Sequence, residues 1–380
     1  MKPACNLPIL DMANRMHPHV DLSDVAVVAC QHFFLANYLM FEQLFERNLR
    51  PANTFIIPKS YTYNATVERL FLDRGVFVWQ YDYDSHHAFD ERMRAESRAF
   101  VEFIRRDKLR CDKILVLDDG GDLTQSVNEA LGNRQCHGVE QTSSGFNKLV
   151  MAELGFPVVN LARSHSKLHV ESLFIAERMC FKTLEFLYEK SIEIKNCLIL
   201  GNGPIGAEVH RSLARFYPAD LFDVDESRSA LRGELADRIG DYDLIFGCSG
   251  KLSVPEALQA RIREHAVLVC ASLREFEPHR LRRRAPRSRD PHEHMYVDGK
   301  WLVNSGFPVN FDGRINDVIP EKIQLTHALM LSGAYQALDH EERGLVDLDA
   351  GNQDRIVAAF KNYMVEHYFK LYREGGTDRP

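Results

Sequence analysis

The stretch IKNCLILGNGPIGAEVHRSLARF, residues 194–216, reads as an apolar strand, a glycine-rich turn and a helix. Its glycines, Gly201, Gly203 and Gly206, have the spacing G-x-G-x-x-G. In a dinucleotide-binding turn the first glycine allows a tight bend, the second lets backbone N–H groups approach a pyrophosphate, and the third lets helix and strand pack closely. The strand before the turn and the helix after it favour this interpretation over a purely structural glycine turn.

The strand that follows carries a second signal for the same kind of site. In ADLFDVDES, residues 219–227, Asp223 stands twenty-two residues after Gly201. An acidic side chain at this distance holds the ribose hydroxyls of NAD, whereas an NADP site favours a neutral residue with an arginine nearby. The sequence therefore predicts NAD as the cofactor.

Apolar runs alternate with amphipathic helical stretches along the chain, a pattern typical of α/β folds with largely parallel sheets. In the first half, strands are expected at residues 25–30, 54–58, 76–81, 113–119 and 157–161. Beyond the two strands beside the glycine turn, further ones are expected at residues 241–250, 266–272 and 301–306. From Lys167 to Ser191, apolar residues recur at three- and four-residue steps, which predicts a long helix between the halves.

At 380 residues the chain exceeds the usual size of a single hydrophobic core, so two domains are expected. We predict a substrate-binding and catalytic α/β domain over residues 1–170 and a Rossmann-type NAD-binding domain over residues 190–312. Residues 313–380 turn helical again from Pro320, and we expect them to return to the first domain and end in a tail.

Composition restricts the class of protein further. With 45% apolar and 27% charged residues the chain is typical of globular proteins, and a net charge of −7 argues against general nucleic-acid binding. No basic segment followed by a continuous apolar run opens the chain, and no long apolar window occurs, so we expect a cytoplasmic protein without a membrane span. Its cysteines form no C-x-x-C pair and are expected to be reduced thiols. They are Cys5, Cys30, Cys111, Cys136, Cys180, Cys197, Cys248 and Cys270.

An acidic stretch, LVLDDGGDLT at residues 115–124, places three aspartates and two glycines behind an apolar run that reads as a buried strand. A simple turn would explain the glycines, because Asp-Gly and Gly-Gly are common turn chemistry. The alternative is a site, because crowded carboxylates at the end of a strand can have pKa values shifted by burial and by one another.

A basic stretch, HRLRRRAPRSRDPHEH at residues 279–294, lies between two expected strands. We expect a solvated surface insertion, with phosphate or nucleic-acid binding as the alternative. Its histidines, His279, His292 and His294, are expected to be polar loop residues, and no metal site is predicted.

Five stretches together resemble the S-adenosylhomocysteine hydrolase family, in order and spacing, from about residue 25 to residue 330. They are LDDGGDLT (117–124), GVEQTSSG (138–145), PVVNLARSHSKLHVESL (157–173), the glycine turn and LVNSG (302–306). The resemblance implies a tightly held NAD that is used and regenerated in each cycle. In that family the ribose 3′-hydroxyl is oxidised to a ketone, C4′ then loses a proton, and the thiol at C5′ leaves. Water adds and the ketone is reduced, so no net redox change occurs.

The resemblance also implies roles for polar side chains. Asp119 is the candidate acid/base at C4′, and Asp122 is expected to brace the loop. His32 matches a histidine that assists proton transfer near C5′, and Lys167 matches a lysine that helps deprotonate the 3′-hydroxyl. Glu171 stands one helical turn after the lysine, where the family has an aspartate. The alternatives are a core histidine, an exposed lysine and a surface ion pair.

Binding residues are implied by the same resemblance. The substrate contacts are Phe34, Gln141, Thr142 and Phe311. The cofactor contacts are Thr142, Ser143, Ser144, Ser172, Gly201, Gly203, Pro204, Ile205, Gly206, Asp223, Ser249 and Asn304.

Several positions depart from the family pattern, mainly where the substrate is read. Gln141 replaces a carboxylate expected on the ribose hydroxyls, and an amide cannot act as a base. Phe34 replaces a threonine, and Phe311 stands where a histidine would. The segment ASLREFE from Ala271 replaces the family's strand-end sequence, and YFKLYREGGTDRP has no clear counterpart of its lysine-tyrosine tail.

We therefore predict an NAD-dependent hydrolase or lyase acting on S-adenosylhomocysteine or on a related adenosyl thioether or nucleoside. The standard hydrolase with an unusual pocket and a catalytically silent NAD-binding regulator are the alternatives. Retention of Asp119, His32 and Lys167 favours an enzyme. A homodimer or homotetramer is expected, without a nucleic-acid or membrane partner.

Overall fold

The structure, a computed structural model, describes residues 7–132, 134–231 and 234–374. Cys5 and the end of the predicted tail, residues 375–380, lie outside these ranges. The cysteines within them are free thiols. Over the same ranges, no helix has the length and apolar character that a membrane crossing requires.

The first half of the chain forms a seven-stranded parallel sheet. Its strands are β1 (Val25–Gln31), β2 (Thr54–Pro58), β3 (Phe77–Val78), β4 (Lys113–Asp118), β5 (Gln135–Glu140), β6 (Pro157–Asn160) and, from the end of the chain, β13 (Gly344–Asp347). They run in the order β13-β6-β5-β4-β1-β2-β3. Because β4 and β5 pair Asp118 with Glu140, the carboxyl ends of these two strands lie side by side.

Helices cover both faces of this sheet, which is why a strand such as β1 is apolar and buried along its whole length. Those of the first half are α1 (Pro8–Arg15), α2 (Leu35–Phe45), α3 (Ala65–Arg74), α4 (Phe89–Asp107), α5 (Asp122–Leu131) and α6 (Ser143–Leu149). The next helix, α7 (Ser172–Glu189), has its buried residues in the core of the second sheet, which is described below. Near the end of the chain α12 (Pro320–Leu338) and α13 (Ala350–Glu374) pack on the same core as α1 and α2.

The second sheet contains the glycine turn. Its strands are β7 (Cys197–Leu200), β8 (Ala219–Phe222), β9 (Leu244–Gly247), β10 (Val267–Cys270), β11 (Met295–Val297) and β12 (Lys300–Leu302). The order is β11-β12-β10-β9-β7-β8, and only the β11–β12 hairpin is antiparallel. Its helices are α8 (Pro204–Leu213), α9 (Leu235–Arg238), α10 (Glu256–Gln259) and α11 (Pro278–Arg284). The predicted α/β class with Rossmann-type parallel sheets is confirmed, while the division into folding domains stays a prediction.

Several element boundaries differ from expectation. The strand expected at 76–81 is only β3, and β5 and β13 had not been expected. The long helix begins with a π-helical turn at Lys167–Glu171 before α7. The last strand ends at Leu302, because Asn304 and Ser305 follow with left-handed φ values of 53° and 51°.

The basic stretch lies at the surface, as expected, and five of its six arginines are exposed, but it is also anchored to the first half of the chain. It docks on residues 82–87 of the first half, where the backbone amide of Ser85 donates to the carbonyl of Ser288 at 3.0 Å. Arg282 is 2% exposed. Its guanidinium donates to the carbonyls of Ser85 at 2.9 Å and Ser305 at 2.8 Å and lies 4.9 Å from the centre of the Phe307 ring. Charge counting missed this because the acceptors are backbone carbonyls distant in sequence.

We expect Arg282→Met to lower the free energy of unfolding by about 2 to 4 kcal/mol, because buried carbonyls would lose their donor. The control is Arg289→Gln in the same stretch, whose side chain is 75% exposed and 3.3 Å from Asp82. It should change stability by no more than about 0.5 kcal/mol. Urea unfolding measures both variants, and equal effects would contradict a special role for Arg282.

Candidate active site

Three carboxyl groups are buried where β4 and β5 end. Asp118 and Glu140 are fully buried and Asp119 is 4% exposed. The carboxyl oxygens of Asp118 and Glu140 accept hydrogen bonds from backbone N–H groups near the starts of the helices that follow. Thr124 donates to Asp118 at 2.7 Å, while Gly120 and Thr142 donate to Glu140 at 3.2 and 2.6 Å. The acidic stretch is therefore more than a simple turn.

Glycines make room for this cluster. Gly120 and Gly121 have φ values of 120° and 80°, which favour glycine. A Cβ on Gly145 would lie 2.1 Å from the carboxyl carbon of Glu140. Asp122 accepts from Lys148 of α6 at 2.7 Å, which joins the start of α5 to the last turn of α6 and is consistent with a bracing role.

Asp119 is surrounded by donors on both oxygens. Lys59 pairs with Oδ1, while His32 Nε2 lies 3.1 Å from Oδ2 and the Gln141 amide donates to that oxygen. Burial alone would raise the pKa of Asp119, but the charges of Lys59 and His32 hold that pKa well below its usual range. Burial would likewise lower the pKa of Lys59, yet Asp119 and Tyr61 raise it well above normal. The pair is therefore ionised.

Lys59 is the principal residue that sequence reasoning missed. It follows β2 directly and is 6% exposed. A single lysine after an apolar strand gives no local sign of its partner. Parallel pairing of β2 with β1, and of β1 with β4, brings Lys59 to Asp119.

The pKa values of the other two carboxyl groups, those of Asp118 and Glu140, are shifted in the opposite direction. Burial raises the pKa of Asp118 to about 6. Burial, followed by the charges of Asp118 and Asp119, raises the pKa of Glu140 well above its usual range. Carboxyl groups with low and high pKa values thus stand side by side, an arrangement common at acid/base sites.

Aromatic rings cover the other side of His32. Its Nδ1 lies 2.9 Å from the hydroxyl of Thr62, which fixes the ring. Phe311 lies 4.7 Å from His32, and Phe34 stacks on Phe311 at 5.8 Å, in centroid distances. Tyr61 continues the wall beside them, 5.6 Å from Phe311. Two predicted substrate contacts, Phe34 and Phe311, therefore lie beside the predicted catalytic histidine.

Lys167 and Glu171 form a second predicted group. The ammonium lies 2.9 Å from the carboxylate across the π-helical turn, and the hydroxyl of Thr326 also donates to Glu171. Burial, followed by the charges of Lys167 and His32, lowers the pKa of His327 to about 3. His327 follows Thr326 directly on α12, and Thr326 is the residue that donates to Glu171.

Asp317 is a further buried carboxyl group, and the side-chain amide of Asn310 lies 3.5 Å from it. Asp317 is 8% exposed, and burial raises its pKa to about 6. The charge of His32 lowers this pKa to a smaller extent, and the charge of Glu171 raises it. Neither Asp317 nor His327 had been predicted as a site residue, because neither belongs to one of the quoted motifs.

The glycine turn shows why each of its glycines is there. Gly201 has φ 102°, and a Cβ there would lie 2.8 Å from the backbone of Ser249. A Cβ on Gly206 would lie 1.8 Å from the carbonyl oxygen of Gly201. At Gly203, however, a Cβ would meet no atom within 4 Å, and φ is −80°. Packing therefore requires the first and third glycines, while the second leaves open space at the start of α8, which begins with Pro204 and Ile205.

Asp223 follows β8 beside this turn. It accepts from the amides of Asn202 at 2.7 Å and Asp225 at 3.0 Å. Burial opposes the ionised form, but these N–H groups lower the pKa of Asp223. A carboxylate is thus held at the edge of the glycine turn.

The remaining predicted cofactor contacts have protein partners. The Ser249 hydroxyl donates to the buried Glu275 at 2.7 Å. The side-chain amide of Asn304 donates to the carbonyls of Pro308 at 3.0 Å and Phe311 at 2.7 Å. The Ser172 hydroxyl donates to the carbonyl of Leu168 at 2.8 Å. Thr142 caps α6, whose first residues Ser143 and Ser144 are exposed. Geometry thus gives most of these residues a local structural function.

The basic stretch's histidines support the turn after β12. His292 Nδ1 lies 3.1 Å from the side-chain oxygen of Asn304, and the backbone N–H of Asn304 donates to His294 Nδ1 at 3.0 Å. Across the described ranges, no three histidine, cysteine or carboxylate side chains are grouped to hold a metal ion.

The chain is 34% identical over 392 aligned residues to Uncharacterized protein Rv0104 of Mycobacterium tuberculosis, covering 95% of this chain and 74% of that protein. The chain belongs to the family of that protein. Uncharacterized protein MT0113, from another strain of the same species, matches with the same values. These names state no activity, so the match establishes the family only. No model of a known protein family matches the chain.

Solved structures give weaker matches. Dipicolinate synthase A chain from Bacillus subtilis has 12% identity and a TM-score of 0.31, over 65% of this chain and 80% of that one. NAD⁺-bound 3-phosphoglycerate dehydrogenase from Entamoeba histolytica has 10% identity and a TM-score of 0.37, over 65% and 72%. Such low scores carry no argument about activity, and the resemblance to S-adenosylhomocysteine hydrolases stays a prediction.

We expect the buried Asp118 to make stability depend on pH. Its folded-state pKa of about 6 exceeds the value of about 4 in an unfolded chain, so the folded protein holds this proton more tightly. The stabilisation is therefore complete below about pH 4 and is lost as pH rises to about 6. The free energy of unfolding should therefore decrease over this pH range, and Asp118→Asn should remove up to about 3 kcal/mol of the decrease. The part that Glu140 contributes should remain.

Unfolding free energies in urea between pH 4 and pH 7 test this expectation. The control is Asp112→Asn, because the Asp112 side chain is 95% exposed just before the other end of β4. It should follow the unmodified protein. If Asp118→Asn shows the same pH slope as the control, Asp118 does not hold its proton in the folded state.

Proposed function

We propose that the protein is an NAD-dependent enzyme of the S-adenosylhomocysteine hydrolase type, acting on an adenosyl thioether or a nucleoside. One observation carries the proposal. The His32–Asp119 pair lies at the carboxyl edge of the first sheet, after β1 and β4, and the Lys167–Glu171 pair lies in the segment that leaves this edge after β6. Ligands of open α/β sheets bind outside this edge.

The second sheet fits a dinucleotide. The turn from Gly201 to Gly206 would hold the pyrophosphate, since Gly203 leaves space over the N-terminus of α8. The carboxylate of Asp223 would accept hydrogen bonds from the adenine ribose. NAD, when bound, supplies a reversible hydride acceptor.

Lys167 is proposed to hold and release the proton of the 3′-hydroxyl. Its ammonium is oriented by Glu171, which Thr326 holds in turn. In its neutral amine form the lysine can accept the proton of the hydroxyl, and the ammonium so formed can donate a hydrogen bond to the oxygen that has lost it.

His32 and Asp119 are proposed to form the acid/base unit at C4′ and C5′. The low pKa of Asp119 makes it a weak proton acceptor while Lys59 is bound to it, so the imidazole is the better proton carrier. Asp119 then stabilises the charged imidazole, and Thr62 fixes its orientation.

The substrate differs from that of the standard hydrolase in how it is held. Gln141 contributes an amide whose N–H group already binds Asp119, and its Oε1 has no partner among the described residues. Phe34 and Phe311 offer rings to a nucleobase or a thioether. An altered adenosyl thioether or nucleoside fits this combination. We retain the homodimer or homotetramer as part of the proposal.

A specific observation favours the second candidate, a catalytically silent NAD-binding regulator. Both oxygens of Asp119 are engaged, and Ser249 and Asn304 bind protein groups where cofactor contacts were expected. A regulator needs the fold and the cofactor without free acid/base groups.

We expect Gly203→Ala to weaken NAD binding roughly tenfold or more, because its methyl group occupies the space that the cofactor needs. Its stability should not change, since φ is −80° and no atom lies within 4 Å of the added carbon. Gly206→Ala is the matched control, which should lose stability. Calorimetry with NAD and NADP gives the affinities, and Asp223 predicts preference for NAD. Unchanged NAD affinity in Gly203→Ala would contradict the site.

We expect adenosine or S-adenosylhomocysteine to give a transient absorbance of reduced nicotinamide when added to the NAD-loaded protein. Lys167→Met should slow this signal about 10²- to 10⁴-fold, because the hydroxyl loses its proton acceptor. Lys190→Met, an exposed position just after α7, should behave like the unmodified protein.

Asp119→Asn and His32→Gln should keep the absorbance signal and lose exchange of the C4′ proton with deuterated solvent, measured by NMR. Two variants are used because removal of Asp119 leaves Lys59 buried without its carboxylate. A panel of adenosyl thioethers and nucleosides that never reduces the nicotinamide would support the regulator instead. Equal loss of both steps in all three variants would contradict the assigned roles.

A further inference from the structure

A wide depression of about 780 Å³ lies at the opposite edge of the first sheet, where the strands begin. The amino ends of β1, β2, β4 and β5 form its floor. Its lining residues are Ser23, Asp24, Arg50, Asn53, Arg110, Cys111, Asp112, Lys113, Arg134 and Gln135. Because the carboxyl ends of the strands form the other edge, the depression is separate from the candidate active site.

The charges in the depression are mainly positive. Arg50, Arg110, Lys113 and Arg134 face two carboxylates, Asp24 and Asp112, and the side chain of Asp112 is 95% exposed. This excess stands out in a chain whose net charge is −7. The loops before three separate strands supply it.

Two of these cations have no protein partner. Within the described ranges, the guanidinium of Arg50 and the ammonium of Lys113 make no hydrogen bond or ion pair. Arg110 donates only a long bond of 3.5 Å to the carbonyl of Asp107. Arg134 is held by the carbonyl of Cys111 at 2.7 Å, with Asp112 at 3.4 Å. Free donors therefore surround one fixed guanidinium.

Cys111 lies at the centre of this group. Asn53 donates to its sulfur at 3.3 Å, and burial raises the pKa of the thiol. The next effects on that pKa come from Arg50 and Asp24, then from Asp112 and Arg134. Groups from three neighbouring loops thus converge on one point of the floor.

We propose that this depression binds a small anion carrying two or more phosphate groups. Guanidinium groups match phosphate oxygens in geometry and stay charged at every physiological pH. Arg134 and Arg50 precede strands that stand three intervals apart in the order β5-β4-β1-β2, or about 14 Å. Because the cations come from loops spread over this width, linked phosphates can engage more of them at once than a single orthophosphate can. The site is independent of the proposed reaction and offers a place for regulation by a phosphorylated metabolite.

Calorimetric titration with inorganic pyrophosphate and with orthophosphate tests the site on the full chain. Pyrophosphate should bind more tightly than orthophosphate. Arg50→Gln should weaken pyrophosphate binding about tenfold or more, because a charged hydrogen-bond donor is lost. The urea midpoint should stay unchanged, since this guanidinium makes no hydrogen bond or ion pair with another described residue. Arg215→Gln, an exposed arginine after α8, is the matched control and should bind like the unmodified protein.

Asp112→Asn gives a change of opposite sign. Removal of the carboxylate frees Arg134 and should tighten pyrophosphate binding about two- to fivefold. A purely structural role of these residues would not produce opposite effects on binding at constant stability. Equal pyrophosphate affinity in Arg50→Gln and Arg215→Gln, or weaker binding in Asp112→Asn, would overturn the proposal. NAD binding is measured separately, so failure here leaves the proposed function untouched.

Discussion

Burial of Asp118, Asp119 and Glu140 at the ends of two adjacent strands is the constraint on which the first half of the molecule depends. Removing a carboxyl group from water is costly unless donors replace the water, and for an ionised group such as Asp119 the cost is roughly several kcal/mol. The chain supplies them as backbone N–H groups at the starts of α5 and α6, and as the side chains of Lys59 and His32. Glycines in both loops follow from this need, because side chains there would displace the carboxyl groups or strain the backbone. The acidic motif and the GVEQTSSG motif are therefore two parts of one structural solution.

Sequence patterns predicted the elements whose structure depends mainly on residues close together in the chain. The glycine spacing, the apolar strands β1, β2, β4 and β7, and the amphipathic α7 depend on neighbouring residues, and each was found close to its expected place. Strand β5 was missed because QCHGVE contains a glycine and a histidine and lacks a continuous apolar run. Strand β13 was missed because GLVD is short and gains its partner β6 only through the long return of the chain.

Long-range partners could not be read in this way. Lys59 meets Asp119 across sixty positions, and Arg282 meets the carbonyl of Ser85 across 197. In both cases the residue type is visible in the sequence, but its burial and partner depend on how the elements pack. A basic run next to prolines looks solvated when only side-chain charges are counted. Backbone carbonyls carry no sequence signature, yet they solvate the guanidinium of Arg282 as water would.

The two halves also show that a retained motif and an available side chain are different things. At Gly203 the motif leaves space that no protein atom fills. The side chains of Ser249 and Asn304, in contrast, already donate hydrogen bonds to Glu275 and to backbone carbonyls. At position 141 the departure has a physical reason in this chain. A carboxylate there would add a further negative charge against Asp119, beside two carboxyl groups that already resist ionisation. The Gln141 amide instead donates to Asp119, so Lys59 and His32 suffice to hold Asp119 ionised. Gln141 and the buried Lys59 are thus parts of one charge arrangement around Asp119.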